Sequence, residues 1–202
     1  MGSKTSFVIV SSPAPVHPKT TLIDEVIGSF SLVKDCDAAS IIIVLDGYQI
    51  CDYNRTKVGR VTRDLALRYE QYYENLKQSF TGPRFTIVKS EGLSIGFAMC
   101  VKLGLSLCKT DFAFIIQHDR LFIKNIDCID RLVNIMEEKE HIRYIGFPTC
   151  INSNHDTVIT QRYGLTSLIS TCRVLLEEST TQSTYLLPLI FWYDLLYFIF
   201  TV

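Results

Sequence analysis

Residues 84–122, RFTIVKSEGLSIGFAMCVKLGLSLCKTDFAFIIQHDRLF, decide how the rest of the chain is read. They parse as a strand (84–89), a turn holding Gly92, a helix (94–107), a short Cys-Lys-Thr-Asp turn and a strand (111–117) that stops on Gln117-His118-Asp119. Two strands joined by a helix of that length form a βαβ unit, whose strands must run parallel. Ligands of such sheets sit beyond the carboxyl ends of the strands. A polar triplet ending in a carboxylate, directly after Phe112-Ala113-Phe114-Ile115-Ile116, is therefore where a ligand or metal is expected. That placement points to an enzyme.

Working outward, residues 6–12 (SFVIVSS) predict a first strand closed by Pro13-Ala14-Pro15. Pro18 opens a helix over about 19–33, with Leu22, Ile23, Val26, Ile27 and Phe30 as its apolar stripe. Residues 40–45 (SIIIVL) form a second strand, buried on both faces as central parallel strands are, and it ends on Asp46-Gly47-Tyr48. A long polar helix is expected over roughly 57–80, ended by Thr81-Gly82-Pro83. A helix over 126–139 and a strand over 144–147 follow the decisive stretch. No repeat or linker interrupts the pattern, so the expected fold class is α/β: one Rossmann-like domain with a mostly parallel central sheet flanked by helices.

After Pro148 the pattern weakens. Residues 156–162 and 186–193 read as strands, and 165–178 is ambiguous. The last eighteen residues, YLLPLIFWYDLLYFIFTV, are almost wholly apolar. A membrane span needs about 20 such residues, and Pro188 and Asp194 interrupt this run. A membrane anchor is thus not favoured over a buried strand followed by a packed or non-native LLYFIFTV. Chain shortening is a third reading of the apolar tail.

The net charge of -1 gives no case, on totals, for nucleic acid or an acidic membrane surface. Seven scattered cysteines without a CxxC pair fit reduced thiols and a cytoplasmic setting. The helix over 57–80 mixes Arg60, Arg63, Arg68 and Lys77 with Tyr69, Tyr72 and Tyr73. Asp64, Glu70 and Glu74 cancel most of that charge, so a solvated face with a tyrosine-rich inner side is the expectation.

Asp46 ends its strand at the same sheet edge as Asp119. It is either a turn-starting Asp, as Asp-Gly commonly provides, or one of two carboxylates on neighbouring strands that divide the binding of a nucleotide and a divalent cation. Magnesium and manganese take carboxylate, imidazole, water and phosphate oxygens, so Asp119 with His118 is a candidate metal pair. The other reading of His118 is a side chain turned into the sheet. Gly92 permits a positive φ, Gly96 permits close helix–sheet packing, and the amides at this helix start offer an anion site.

The order of these pieces resembles the nucleotide-sugar-dependent glycosyltransferases of the GT-A fold, in particular the inverting family that includes chitin and cellulose synthases. The resemblance covers residues 6–148: a Pro-containing turn after the first strand, Asp46 after the second, then Ser90-Glu91-Gly92, Gly96, Lys102 and Gly104 leading to Gln117-His118-Asp119 in the Asp-x-Asp place. It implies that Ser12, Pro13, Asp46, Gly92 and Gln117 bind the nucleotide-sugar, and that Asp119, with His118, holds Mn2+ or Mg2+. Gln117 replaces the first Asp of the pattern, trading a carboxylate for an amide.

The resemblance also divides the domain into a donor half (6–148) and an incomplete acceptor half (149–202). Such enzymes deprotonate the acceptor hydroxyl with an Asp or Glu well after the metal motif. Asp156, Glu177, Glu178 and Asp194 are the candidates, without the family's local pattern, so the catalytic base is unassigned. The expected activity is metal-dependent transfer of a sugar, from UDP-sugar by preference, to a glycan, lipid or protein hydroxyl. The alternative is a truncated, catalytically impaired nucleotide-sugar-binding domain. A nucleotidyltransferase is disfavoured because Ser11-Ser12-Pro13-Ala14-Pro15-Val16-His17 lacks a glycine-rich loop.

Overall fold

The computed structural model describes residues 4–34, 38–139 and 142–146, with the backbone of three further short strands within 172–201. In chain order the elements are β1 (Thr5–Ser11), α1 (Thr21–Gly28), β2 (Ile41–Leu45), β3 (Gln49–Ile50), β4 (Arg60–Val61), α2 (Arg63–Ser79), β5 (Phe85–Lys89), α3 (Gly96–Ser106), β6 (Phe112–Gln117), α4 (Ile129–Glu138), β7 (Tyr144–Gly146), β8 (Cys172–Val174), β9 (Thr184–Leu186) and β10 (Tyr197–Thr201). The main sheet has the order β5-β2-β1-β6-β10-β7-β9-β8. Its first four strands are parallel, in registers such as Ile41↔Phe7 and Phe7↔Phe114. The expected α/β fold, a mostly parallel sheet flanked by helices, is what forms.

Strand alternation divides the core in two. Phe7, Ile9, Ile41, Ile43, Phe114 and Ile116 face one layer, which α1, α2 and α4 cover with residues such as Ile23, Tyr69, Tyr72 and Leu132. Val8, Val10, Ile42, Val44, Ala113 and Ile115 face the other, where α3 presents Cys100 and Val101. Apolar side chains on both faces explain why the middle of β1 (Phe7 to Val10), β2 and most of β6 read as unbroken apolar runs. The inner side of α2 is tyrosine-rich as expected, with Tyr69 and Tyr72 buried.

Two expectations need correction. The polar helix begins at Arg63, not near 57. Gly59 adopts φ 66°, a short 3-10 turn precedes it, and β4 pairs in parallel with β3; Thr62 then caps α2, its side chain accepting from the Leu65 amide at 3.5 Å. Close packing of α3 comes from Gly104, not Gly96. A Cβ at Gly104 would lie 2.3 Å from Val8 Cγ1, whereas one at Gly96 would meet nothing within 4 Å; Gly96 instead supplies a φ of 78°.

Part of the apolar tail is a central strand. β10 runs antiparallel to both β6 and β7 and lies between them, with Ile199 opposite Phe114 and Ile145. β9 overlaps the expected 186–193 strand at Leu186; the remainder of that stretch and 156–162 lie outside the described residues.

Candidate functional site at the carboxyl edge of the sheet

Backbone hydrogen bonds tie the strand ends into one rim. The Asp46 amide donates to the Ser11 carbonyl at 2.8 Å, the Ser90 amide to Leu45 at 2.9 Å, and the His118 amide to Val10 at 3.1 Å. Ser12-Pro13, Asp46, Ser90 to Gly92 and Gln117 to Asp119 therefore emerge on one edge, as the sequence implied. The two carboxylates are not on neighbouring strands, however. β1 lies between β2 and β6 and separates Asp46 from Asp119.

Asp46 is buried, and its carboxylate is filled from within the chain. Oδ1 accepts from the amides of Gly47 and Ile95, each at 2.8 Å; Oδ2 accepts from the Ser94 hydroxyl at 2.6 Å and the Gly96 amide at 3.2 Å. Four donors match the roughly four lone-pair sites of a carboxylate. The anion at the start of α3 is thus Asp46 itself, so those amides are not an open anion site as expected from the sequence. The loop is held tightly: a Cβ on Gly47 would be 2.5 Å from the carbonyl oxygens of Gly92 and Leu93, and Gly92 has φ 75°. Tyr69 adds its hydroxyl, donating to the Asp46 carbonyl at 3.1 Å.

The β6 terminus is different. Gln117 is half-buried, while Asp119 is exposed and has a long contact to Arg120 Nε at 3.8 Å. His118 Nδ1 lies 3.4 Å from the Val10 carbonyl, an oxygen that can only accept, so Nδ1 carries the proton and Nε2 the lone pair. Burial lowers its pKa from the ordinary value, with Asp119 opposing that shift. A neutral imidazole with a free Nε2 is the form that ligates metal.

His17 is the participant that sequence reasoning missed. It is 3 % exposed and stacks on Tyr72 with centroids 4.0 Å apart, and its ring centroid is 6.5 Å from that of His118. Nε2 donates to the Ser12 carbonyl at 3.1 Å, and Nδ1 is buried without a partner among the described residues. Burial lowers its pKa to about 4. The signal was its place four residues after Pro13, where Arg68 also anchors the turn by donating to the carbonyls of Pro15 and His17.

Beside this rim Glu70 accepts from Lys89 and from the Tyr48 hydroxyl; burial and Glu70 push Tyr48 up to about 12. Among the described residues no three His, Cys, Asp or Glu side chains form a metal cage by themselves. Asp156, Glu177, Glu178 and Asp194 lie outside the described residues. No described helix is long and apolar enough to cross a membrane.

No family model matches the chain, and no curated protein matches it. Among solved structures it is similar to a mannosyltransferase from Pyrobaculum calidifontis in complex with GDP-Man and Mn2+ (12% identity, TM-score 0.46, covering 78% of this chain and 39% of that one). S. aureus TarS in complex with UDP-GlcNAc gives 14% identity and TM-score 0.38, over 69% of this chain and 33% of that one. CMP:2-keto-3-deoxy-manno-octonic acid synthetase complexed with CTP gives 10% and 0.46, over 98% and 74%. The chain therefore spans 39% of the mannosyltransferase chain and 33% of the TarS chain. The strand order and registers above, not these likenesses, establish the fold.

Proposed function

We propose that the chain binds a nucleotide-diphosphate sugar at the carboxyl edge of β1, β2 and β6 and, with a divalent cation, transfers the sugar to an acceptor hydroxyl. The observation that carries this reading is the exposed Asp119 carboxylate just past the end of the buried β6, next in sequence to His118, whose Nδ1 faces the Val10 carbonyl and leaves Nε2 the lone pair. A single carboxylate with one imidazole suits Mn2+ or Mg2+, which keep waters and take phosphate oxygens for their remaining positions. When bound, the metal would neutralise charge on the departing diphosphate. Ser12, Pro13 and Gln117 would border the nucleoside, the Gln117 amide replacing a carboxylate in contact with ribose. With its carboxylate filled, Asp46 would act by fixing the loop at Gly92 against this pocket, and not by holding the base directly.

The test is a thermal-shift titration with UDP, GDP and CMP, with and without Mn2+, on the parent chain and on Asp119→Ala. The expected result is stabilisation by one nucleotide that needs metal and disappears in the variant. No stabilisation of a folded chain by any of the three would end this reading. Metal-dependent donor hydrolysis without acceptor then separates an active transferase from a donor-binding relic, which would bind without turnover.

A further inference from the structure

The segment between β2 and α2 leaves the sheet as a small two-stranded excursion, β3 paired with β4, at the same carboxyl edge. Its charge is lopsided. Between Gln49 and Arg63 stand Arg55, Lys57, Arg60 and Arg63 against the single carboxylate of Asp52. All four cations are exposed, and none forms an ion pair among the described residues; Arg60 donates to the Tyr53 hydroxyl at 2.9 Å. The next acid, Asp64, is taken by Arg68 at 2.9 Å. The near-neutral total of the chain conceals this local excess.

The same excursion shows apolar side chains to solvent. Ile50, Tyr53 and Val58 are each about half exposed, at 54%, 51% and 49%. The patch continues onto the loop before α3, where Leu93 is 64% and Ile95 39% exposed. The two loops are packed together, because a Cβ on Gly59 would fall 2.2 Å from Ser94 Cβ. Scattered apolar residues on a surface need no explanation, but a contiguous set rimmed by unpaired cations does. Apolar side chains interleaved with Arg and Lys match the interface of an anionic bilayer, where the cations meet headgroup phosphates and the apolar groups enter the acyl boundary.

We propose that the β3–β4 excursion, with the loop at Leu93, docks the domain on an anionic lipid surface. This proposal does not depend on the transferase reading. The test is co-sedimentation of the full chain with phosphatidylcholine–phosphatidylserine vesicles against pure phosphatidylcholine vesicles. Binding to the anionic vesicles that weakens with salt is expected. Each juxtaposed cation is worth about a fivefold change in partitioning, so the double variant Arg55→Glu/Lys57→Glu should bind at least about 25-fold more weakly. Ile50→Ser/Val58→Ser should also weaken binding, while Lys109→Glu, in the turn at the opposite edge, should not. Retained thermal unfolding in each variant certifies the fold.

No binding to anionic vesicles, or equal binding by the Arg55/Lys57 variant, overturns the proposal. Equal loss in Lys109→Glu also overturns it, by reducing the effect to net charge. Displacement by inorganic phosphate or UDP at matched ionic strength reassigns the cations to a soluble phosphate ligand and overturns it too.

Discussion

The carboxylate of Asp46 and the hydroxyl of Ser94 meet at 2.6 Å across 48 positions of sequence, and this contact joins the end of β2 to the start of α3. The group closing one strand is thereby the cap of a helix that begins after another. A helix start leaves its first amides unsatisfied, and here Asp46 takes those of Ile95 and Gly96. Asp46→Ala would strand several buried donors, and a loss of on the order of 2–4 kcal/mol is expected. Urea unfolding measures it. A loss below about 0.5 kcal/mol, the ordinary surface value, would show that the carboxylate does not carry the loop.

Acid sensitivity follows from His17. Its folded pKa, about 4, lies below the ordinary 6.5, so the unfolded chain binds the proton more tightly. The His17 contribution should be fully present above pH 6.5 and be lost as the pH drops from 6.5 towards 4, by on the order of 3 kcal/mol. His118, also lowered by burial, acts in the same direction. The groups facing His17 are Tyr69, Tyr72, His118 and the Arg68 guanidinium; no carboxylate is among its charge partners to offset the protonated form. In His17→Phe the slope of unfolding free energy between those pH values should flatten. An unchanged slope would assign the acid sensitivity elsewhere.

Two helical glycines make opposite predictions. Gly104→Ala places a methyl group 2.3 Å from Val8 Cγ1, and overpacking of that kind costs about 1–3 kcal/mol. Gly28→Ala, at the end of α1 with nothing within 4 Å of its Cβ, should gain up to about 1 kcal/mol from helix propensity. Side-by-side denaturation curves suffice. A Gly104→Ala chain as stable as its parent would mean that α3 can lift from β1 without penalty.

Asp119→Ala should leave stability within about 0.5 kcal/mol, because the side chain is exposed and lightly held. Metal-dependent nucleotide affinity should fall at least ~10-fold, the smallest loss seen when even an outer-shell partner of a metal is removed. Calorimetric titration with Mn2+ and the nucleotide selected by thermal shift reads both quantities. A variant that binds as tightly as the parent would remove Asp119 from the metal site.

The central layers were legible because their signal is local. Ile41 to Leu45 and Phe112 to Ile116 are apolar without interruption, and only a strand buried on both faces keeps such a run. The start of α2 was misread because Lys57 and Arg60 fit a helical pattern; what overrides it is a tertiary pairing of β4 with β3 and the left-handed Gly59, neither visible in periodicity. At the site, the rim of strand ends was readable from where apolar runs stop. The filling of Asp46 was not, since its partners Ser94, Ile95 and Gly96 come from a loop 48 to 50 positions away. For His17 the sequence offers only its place after Pro13; its burial against Tyr69 and Tyr72 of α2 is a property of packing.

The place of β10 has a consequence for synthesis. When β6 leaves the ribosome, one of its sides can pair at once with β1, which is already made. Its other side is claimed by residues 197–201, which emerge only after β7, β8 and β9. Throughout that interval the nascent sheet presents the unpaired backbone of Phe112-Ala113-Phe114-Ile115-Ile116, a template open to any passing strand. Translation arrest before residue 197 would make that exposure permanent. Completion of the sheet on that side therefore waits for a five-residue strand that arrives late.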